Sequence, residues 1–216
     1  MKKYKFVLFD LDGTLTNPER GLVSGFEYAF KKLSVNYGER ESLKRFIGPP
    51  LYEEWQKVFG FTPEESAHAI EIFREYYDVY GWWDNEPYCG IFEMLSELRK
   101  RGYTLAVATS KPEDTAKRVL NLFDLTKYFD FIGGALRSTA RDKKSDVINY
   151  VLDSLGVNDR TSVTLVGDRK FDAEGAAVCG IDSIGVLWGH GSEVELASAG
   201  FSDIVNSPED LLDLLT

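Results

Sequence analysis

The sequence predicts an α/β protein: a doubly wound parallel sheet whose first strand is followed by an all-helical insertion. Three observations predict it. From Cys89 onward, short apolar runs alternate with longer amphipathic segments, a rhythm that calls for parallel strands joined by right-handed helical crossovers. One apolar run, Tyr4–Phe9, stands by itself ahead of them and reads as a buried strand. Between the two, roughly over residues 17–86, the pattern is helical and rich in aromatics. The expected organisation is a Rossmann-like α/β core of residues 1–16 and 87–216 and an α-helical cap domain of residues 17–86.

In chain order, Tyr4–Phe9 ends at Asp10, which also interrupts the apolar run too early for a signal sequence. Inside the insertion, Gly48-Pro49-Pro50 must break any helix, because adjacent prolines remove donors and disfavour the α conformation before them. Thr62-Pro63-Glu64-Glu65 opens a helix with a cap residue, Pro at the first position and a Glu to complete a capping box. Ala67, Ile70, Phe73, Tyr77 and Tyr80 then recur at helical spacing as an expected buried stripe. Ile91–Lys100 is an expected helix stopped by Gly102, and Tyr103–Ala108 an expected strand. Pro112–Leu122 (helix), Phe129–Ile132 (strand), Asp142–Leu155 (helix) and Val163–Val166 (strand) follow. Phe171–Cys179 (helix), Ser183–Leu187 (strand) and Pro208–Leu215, a helix capped by Ser207, complete the series. In such sheets functional groups gather beyond the carboxyl ends of the strands. Asp10, Thr109 and Asp168 stand at those ends. A helical segment spliced in after the first strand is a natural lid.

Composition narrows the function. At 216 residues the chain can bury one substantial core, or one core and a small accessory domain. A formal net charge of −10 repels polyanions, which argues against nucleic acid and anionic membranes as partners. No apolar run approaches the eighteen or so residues that a membrane span needs. Cys89 and Cys179 match no metal-binding spacing, which reads as a reduced, cytoplasmic protein. An anionic substrate would need a cationic site set against the overall field. Monomer and homodimer both stay open.

The strongest chemical signal is Phe9-Asp10-Leu11-Asp12-Gly13-Thr14-Leu15-Thr16. Two carboxylates one residue apart leave a strand end toward one small volume, and Gly13 lets the backbone turn behind them. Their mutual repulsion implies a cation, and hard oxygen ligands suit Mg²⁺. In Val166-Gly167-Asp168-Arg169-Lys170-Phe171-Asp172, Asp168 would complete a metal shell while Asp172, one turn on, supports it. Helix capping by acids accounts for this segment equally well. Thr109-Ser110-Lys111-Pro112 joins a strand to a helix and can cradle phosphate, or simply cap. Lys144 continues the apolar line of Ile148, Val151 and Leu155, where an unpaired ammonium is costly, while Lys143 points away. It supplies the missing positive charge, or snorkels.

These four segments, in this order, resemble the four motifs of the haloacid dehalogenase (HAD) superfamily, over nearly the whole chain. The insertion resembles that family's four-helix cap, and Phe46-Ile47-Gly48-Pro49-Pro50-Leu51 the substrate-specificity loop of its phosphoglycolate phosphatase-like branch. The resemblance implies a Mg²⁺-dependent phosphatase with Asp10 as nucleophile, Asp12 as acid/base, and Thr109, Ser110 and Lys144 on the phosphate. It also implies a metal site from Asp10, Asp12, Asp168 and Asp172, and substrate contacts from Arg45, Gly48, Pro49 and Pro50. The implied substrate is a small phosphorylated metabolite, phosphoglycolate or a nucleoside monophosphate foremost. A phosphomutase, a pyrophosphatase or a catalytically silent module on the same fold are the competing readings. The second aspartate argues against a dehalogenase or a phosphonate-cleaving relative, both of which lack it. Cys89 departs from the family pattern, standing in the second hinge where Pro or an acid is usual.

Overall fold

The computed structural model describes residues 3–137 and 141–215. The chain divides into two compact units, one from the residues up to Asn17 together with those from Pro87 on, the other Pro18–Glu86.

The first unit begins with β1 (Phe6–Phe9), whose residues are all β-formers and nearly all fully buried. β2 (Thr16–Asn17) marks the chain's exit from the unit. The second unit holds three α-helices, α1 (Glu19–Lys32), α2 (Leu51–Phe59) and α3 (Pro63–Tyr76). The family resemblance implies four helices; the remaining segment, Arg40–Phe46, is a 3₁₀ helix, and Gly48-Pro49-Pro50 separates it from α2. The capping box forms as expected: Glu65 N–H donates to Thr62 Oγ1 at 3.1 Å, and Thr62 N–H to Glu65 Oε2 at 2.8 Å. The buried stripe of α3 is Ser66, Ala69, Ile72 and Phe73, with Tyr77 beyond it, so Ala67 and Tyr80 face solvent. One cause is a π-turn over Tyr77–Gly81, which rotates the residues after Tyr76 out of α phase. Aromatic packing fills this unit. Trp55 is fully buried, with the Phe30 ring 4.9 Å from its own, while Tyr52 and Trp83 are exposed. Arg20 pairs with Asp84.

β3 (Glu86–Pro87) marks the return crossing. The core then continues through α4 (Ile91–Lys100), β4 (Thr104–Pro112), α5 (Glu113–Leu122) and β5 (Phe131–Ala135). It goes on through α6 (Lys144–Ser154), β6 (Val163–Gly167), α7 (Lys170–Cys179) and β7 (Asp182–Val186). α8 (Glu193–Ala199), β8 (Asp203–Val205) and α9 (Pro208–Leu214) follow. The six-stranded sheet has order β5-β4-β1-β6-β7-β8, and its strand pairs are parallel. Leu8, Ala106, Ala108 and Leu165 pack with Val147, Ile148, Val151 and Leu152 of α6 and Ala176 of α7. The alternate residues Val7, Phe9, Leu105 and Val107 are equally buried, so both faces of the sheet are covered.

The chain runs outward from β1 through β4 to β5, then returns to β6 on β1's other side. That reversal puts a topological switch point at the carboxyl end of β1, between β4 and β6.

Candidate active site

Three strands deliver carboxylates or hydroxyls to the switch point. Asp10 directly follows β1, and its N–H donates to the Val166 carbonyl at 2.9 Å, tying the residue to β6. The loop behind it closes on itself, with Gly13 N–H on the Thr16 carbonyl and the Leu15 and Thr16 N–H groups on that of Leu11. Gly13 has φ +83°, and a Cβ there would lie 2.2 Å from Asp168 Oδ2. Only glycine serves both demands.

Asp168 follows β6 and Asp172 lies in the first turn of α7. With Asp10 they form a group whose carboxylate oxygens lie within 4.8 Å of one another. Both Asp168 and Asp172 are buried. Burial, with the neighbouring carboxylates of Asp172 and Asp10, pushes Asp168 well above the usual carboxylate range. Burial also raises Asp172, to about 6, against the opposing pull of Lys144. Asp168 accepts from the backbone N–H of His190 at 2.8 Å and from the Thr14 hydroxyl at 3.3 Å. Asp172 accepts from the Arg169 N–H at 3.1 Å, so the capping reading of this residue also holds.

Lys144 opens α6 and turns inward. Its side chain is 6% exposed, and its Nζ lies 2.7 Å from Asp172 Oδ1 and 3.0 Å from Asp10 Oδ1. Burial alone would lower its pKa; the two carboxylates overcome this and hold the ammonium above its ordinary range. Gly175 of α7 makes room for the stem, since a Cβ there would sit 2.8 Å from Lys144 Cγ. Lys143 is exposed.

Asp12 and Ser110 stand apart from these groups. The Asp12 carboxylate is not in the acidic group. It is held by the buried Lys111, whose Nζ donates to its two oxygens at 3.0 and 2.7 Å. Ser110 is exposed, whereas Thr109 and Lys111 are buried. β4 runs on to Pro112 through a bulge at Ser110 and Lys111, which leaves Ser110 exposed and Lys111 buried. Arg45, Gly48, Pro49 and Pro50 belong to the helical unit; Arg45 is exposed and lies over the Phe46 ring, and Gly48 has φ +99°.

Several contributors carry no strong signal in the sequence. Lys111 is one, and the turn Trp188-Gly189-His190 is another: Trp188 Nε1–H donates to the Thr14 carbonyl at 2.9 Å, and His190 N–H to Asp168. Both braces use groups whose partners are remote in sequence. Arg169 is committed to Glu195, at 2.9 Å.

Chemically, three clustered carboxylates against one ammonium leave an excess of negative charge in a buried place. The donor set is all oxygen, which fits a hard divalent cation and disfavours a soft one. Asp10 and Asp168 would hold such an ion, with Asp172 beside them. The Asp10 side chain, 14% exposed, is flanked by the buried ammonium of Lys144, an arrangement that would suit attack on a phosphoryl group.

Residues 7–186 match the family model for haloacid dehalogenase-like hydrolases. A 5′-nucleotidase of Pseudomonas aeruginosa is 37% identical over 194 residues, covering 90% of this chain and 87% of that protein. The tyrosine-protein kinase PtkA of Mycobacterium tuberculosis is 40% identical over 187 residues, 87% of this chain and 63% of its own length. The crystal structure of a "predicted phosphatase" from Clostridium acetobutylicum superposes with a TM-score of 0.94 at 38% identity, covering 98% of this chain and 97% of that one.

Proposed function

The chain belongs to the haloacid dehalogenase-like hydrolase family and is a phosphatase, and from that premise we propose that it hydrolyses small phosphate monoesters through a phospho-aspartate at Asp10, with Mg²⁺ as cofactor. The observation that carries the reading is the buried ammonium of Lys144, which touches both Asp10 and Asp172. Nucleoside 5′-monophosphates are the favoured substrates, supported by the likeness to a 5′-nucleotidase over 90% of the chain; phosphoglycolate is the competitor.

Asp10 attacks phosphorus in line as the bond to the leaving oxygen breaks, and Asp12 gives that oxygen a proton. Asp12 then takes a proton from the water that hydrolyses the aspartyl phosphate. Lys144 and the Thr109 hydroxyl hold the equatorial oxygens as charge develops on them. When bound, Mg²⁺ supplies positive charge to the phosphoryl oxygens and relieves the repulsion between the carboxylates.

The test is phosphate release from purified protein on a panel of nucleoside monophosphates, phosphoglycolate, pyrophosphate, a sugar phosphate and phosphotyrosine, with and without Mg²⁺. Mass spectrometry of acid-quenched turnover should find one added phosphate on the peptide carrying Asp10. Turnover in which label reaches no Asp10 peptide would exclude the covalent route, and phosphate released only from pyrophosphate would replace the monoester reading.

A further inference from the structure

The mechanism just given leaves a second buried cation unused. The Lys111 side chain is 4% exposed, and its Nζ grips both oxygens of Asp12. The backbone sets this up. β4 and β5 are in register at Thr109↔Gly134 and again at Pro112↔Ala135, so Ser110 and Lys111 are extra residues with no partner across the ladder. Bulges of this kind re-aim side chains at the ends of strands. Here Lys111 N–H donates to Thr109 Oγ1 at 3.2 Å, which closes the bulge. Gly134 accommodates it, since a Cβ there would lie 2.7 Å from the Lys111 carbonyl oxygen. A buried lysine delivered by a specific backbone irregularity points to a role beyond packing, because burying an ammonium is costly unless it is paired.

We propose that Lys111 is a positioning residue for Asp12, fixing its carboxyl in the orientation from which it serves the leaving oxygen. Asp12 leaves the same turn as Asp10 but its carboxylate stands outside the group of Asp10, Asp168 and Asp172, so that group does not settle its rotamer. A two-point contact to one ammonium does. The inference rests on the reading of Asp12 as the group that handles the leaving-group proton. In that step the P–O bond to the leaving group breaks as the Asp10–P bond forms. The leaving oxygen keeps the bonding pair and takes the proton that a neutral Asp12 carries on one oxygen, and the carboxylate left behind is the form that Lys111 holds by both oxygens.

The consequence is a dependence on the leaving group. 4-Nitrophenolate departs without a proton, whereas an alkoxide does not. Because kcat/KM covers only the steps through that departure, hydrolysis of the intermediate does not obscure it. The experiment compares Lys111→Met, Lys111→Gln, Lys111→Arg and Asp12→Ala with wild type on 4-nitrophenyl phosphate and on glycerol 2-phosphate, with Mg²⁺ saturating. Lys111→Met and Lys111→Gln should lose on the order of 100-fold on glycerol 2-phosphate but less than about threefold on 4-nitrophenyl phosphate, as expected when the proton donor alone is disturbed. Lys111→Arg should recover part of the difference, and inhibition by inorganic phosphate should be unchanged. Asp12→Ala should discriminate at least as strongly. If Asp12→Ala discriminates and the lysine variants lose both substrates equally, or neither, Lys111 serves the phosphate or the fold and the proposal is overturned. If Asp12→Ala does not discriminate, the reading of Asp12 itself fails first. Two neutral substitutions keep the test available should one of them not fold, which a thermal melt reports.

Discussion

Lys144 Nζ stands 3.0 Å from Oδ1 of Asp10, a buried ammonium against a carboxylate at the head of the sheet. Its neighbour Lys143, the extended cap residue just before α6, is exposed. Lys144→Ala should therefore cost on the order of 10²–10³ in kcat/KM, while Lys143→Ala stays within about threefold, as for an exposed charge. Both variants are measured on one substrate. A crippled Lys143→Ala beside a near-normal Lys144→Ala would move the phosphate contact to the other lysine.

Asp10→Asn should abolish turnover and leave the fold intact. The amide cannot form the acyl phosphate, yet it keeps the size of the side chain. Thermal melting checks the fold, and mass spectrometry excludes deamidation back to aspartate. Near-normal steady-state activity of an intact Asn variant would rule out the covalent role.

The acidic group also predicts how pH and metal act together. Folded, Asp172 titrates at about 6 and Asp168 is raised well above the usual carboxylate range, both chiefly through burial. The folded state therefore holds protons that the unfolded chain has already released. These two groups support folding at low pH, and the Asp172 contribution is lost as pH rises through about 6. A divalent cation competes with the same protons. At roughly a hundred times its Kd, Mg²⁺ should raise Tm by about 5–10 °C near neutral pH and by much less at about pH 5. Turnover should stop on exhaustive chelation, and Ca²⁺, whose looser geometry admits bidentate carboxylates, should bind and inhibit. An equal Mg²⁺ shift at both pH values, or full activity after chelation, would contradict this.

For the loop Gly48-Pro49-Pro50 and Arg45, we expect control of substrate choice. Arg45→Ala and Pro49→Ala should change relative kcat/KM among nucleoside monophosphates, phosphoglycolate and sugar phosphates by tenfold or so, about the cost of one lost contact. Hydrolysis of 4-nitrophenyl phosphate should change little. A common loss on all substrates would make the loop structural.

What is legible in the sequence follows from how local the signal is. Asp10, Asp168 and Asp172 each sit just past an apolar run, so their convergence follows from parallel strands alone. Lys144 is readable because Ile148, Val151 and Leu155 set the phase of its helix. Lys111 is not, because the apolar run stops at Ala108 and the strand's extension to Pro112 depends on pairing with Gly134 and Ala135 in another strand. The partner of the Asp12 carboxylate is hidden for the same reason: it arrives through that bulge. α8 offers only Leu196 to the interior and exposes Val194, so no apolar stripe announces it. β8 is three residues long, too short for a periodic signal. Tyr77 keeps to the buried side and Tyr80 leaves it, because both belong to a π-turn whose period differs from that of the helix before it.

The pairing of β1 bears on how the polypeptide acquires its shape during synthesis. Phe6 pairs with Thr104 on one side and with Val163 on the other. The Phe-Val-Leu-Phe segment thus leaves the ribosome long before either neighbour exists, and an unpaired apolar strand is a template for aggregation. The helices of residues 18–86 emerge in the meantime and make their contacts among themselves, as segments of low contact order do early. Closing the ladder around β1 is then the late, non-local event, and the four segments carrying Asp10, Lys111, Lys144 and Asp168 meet only when it is complete. On the proposed mechanism, catalytic activity reports finished folding of the sheet, and a chain released before β6 is expected to have none.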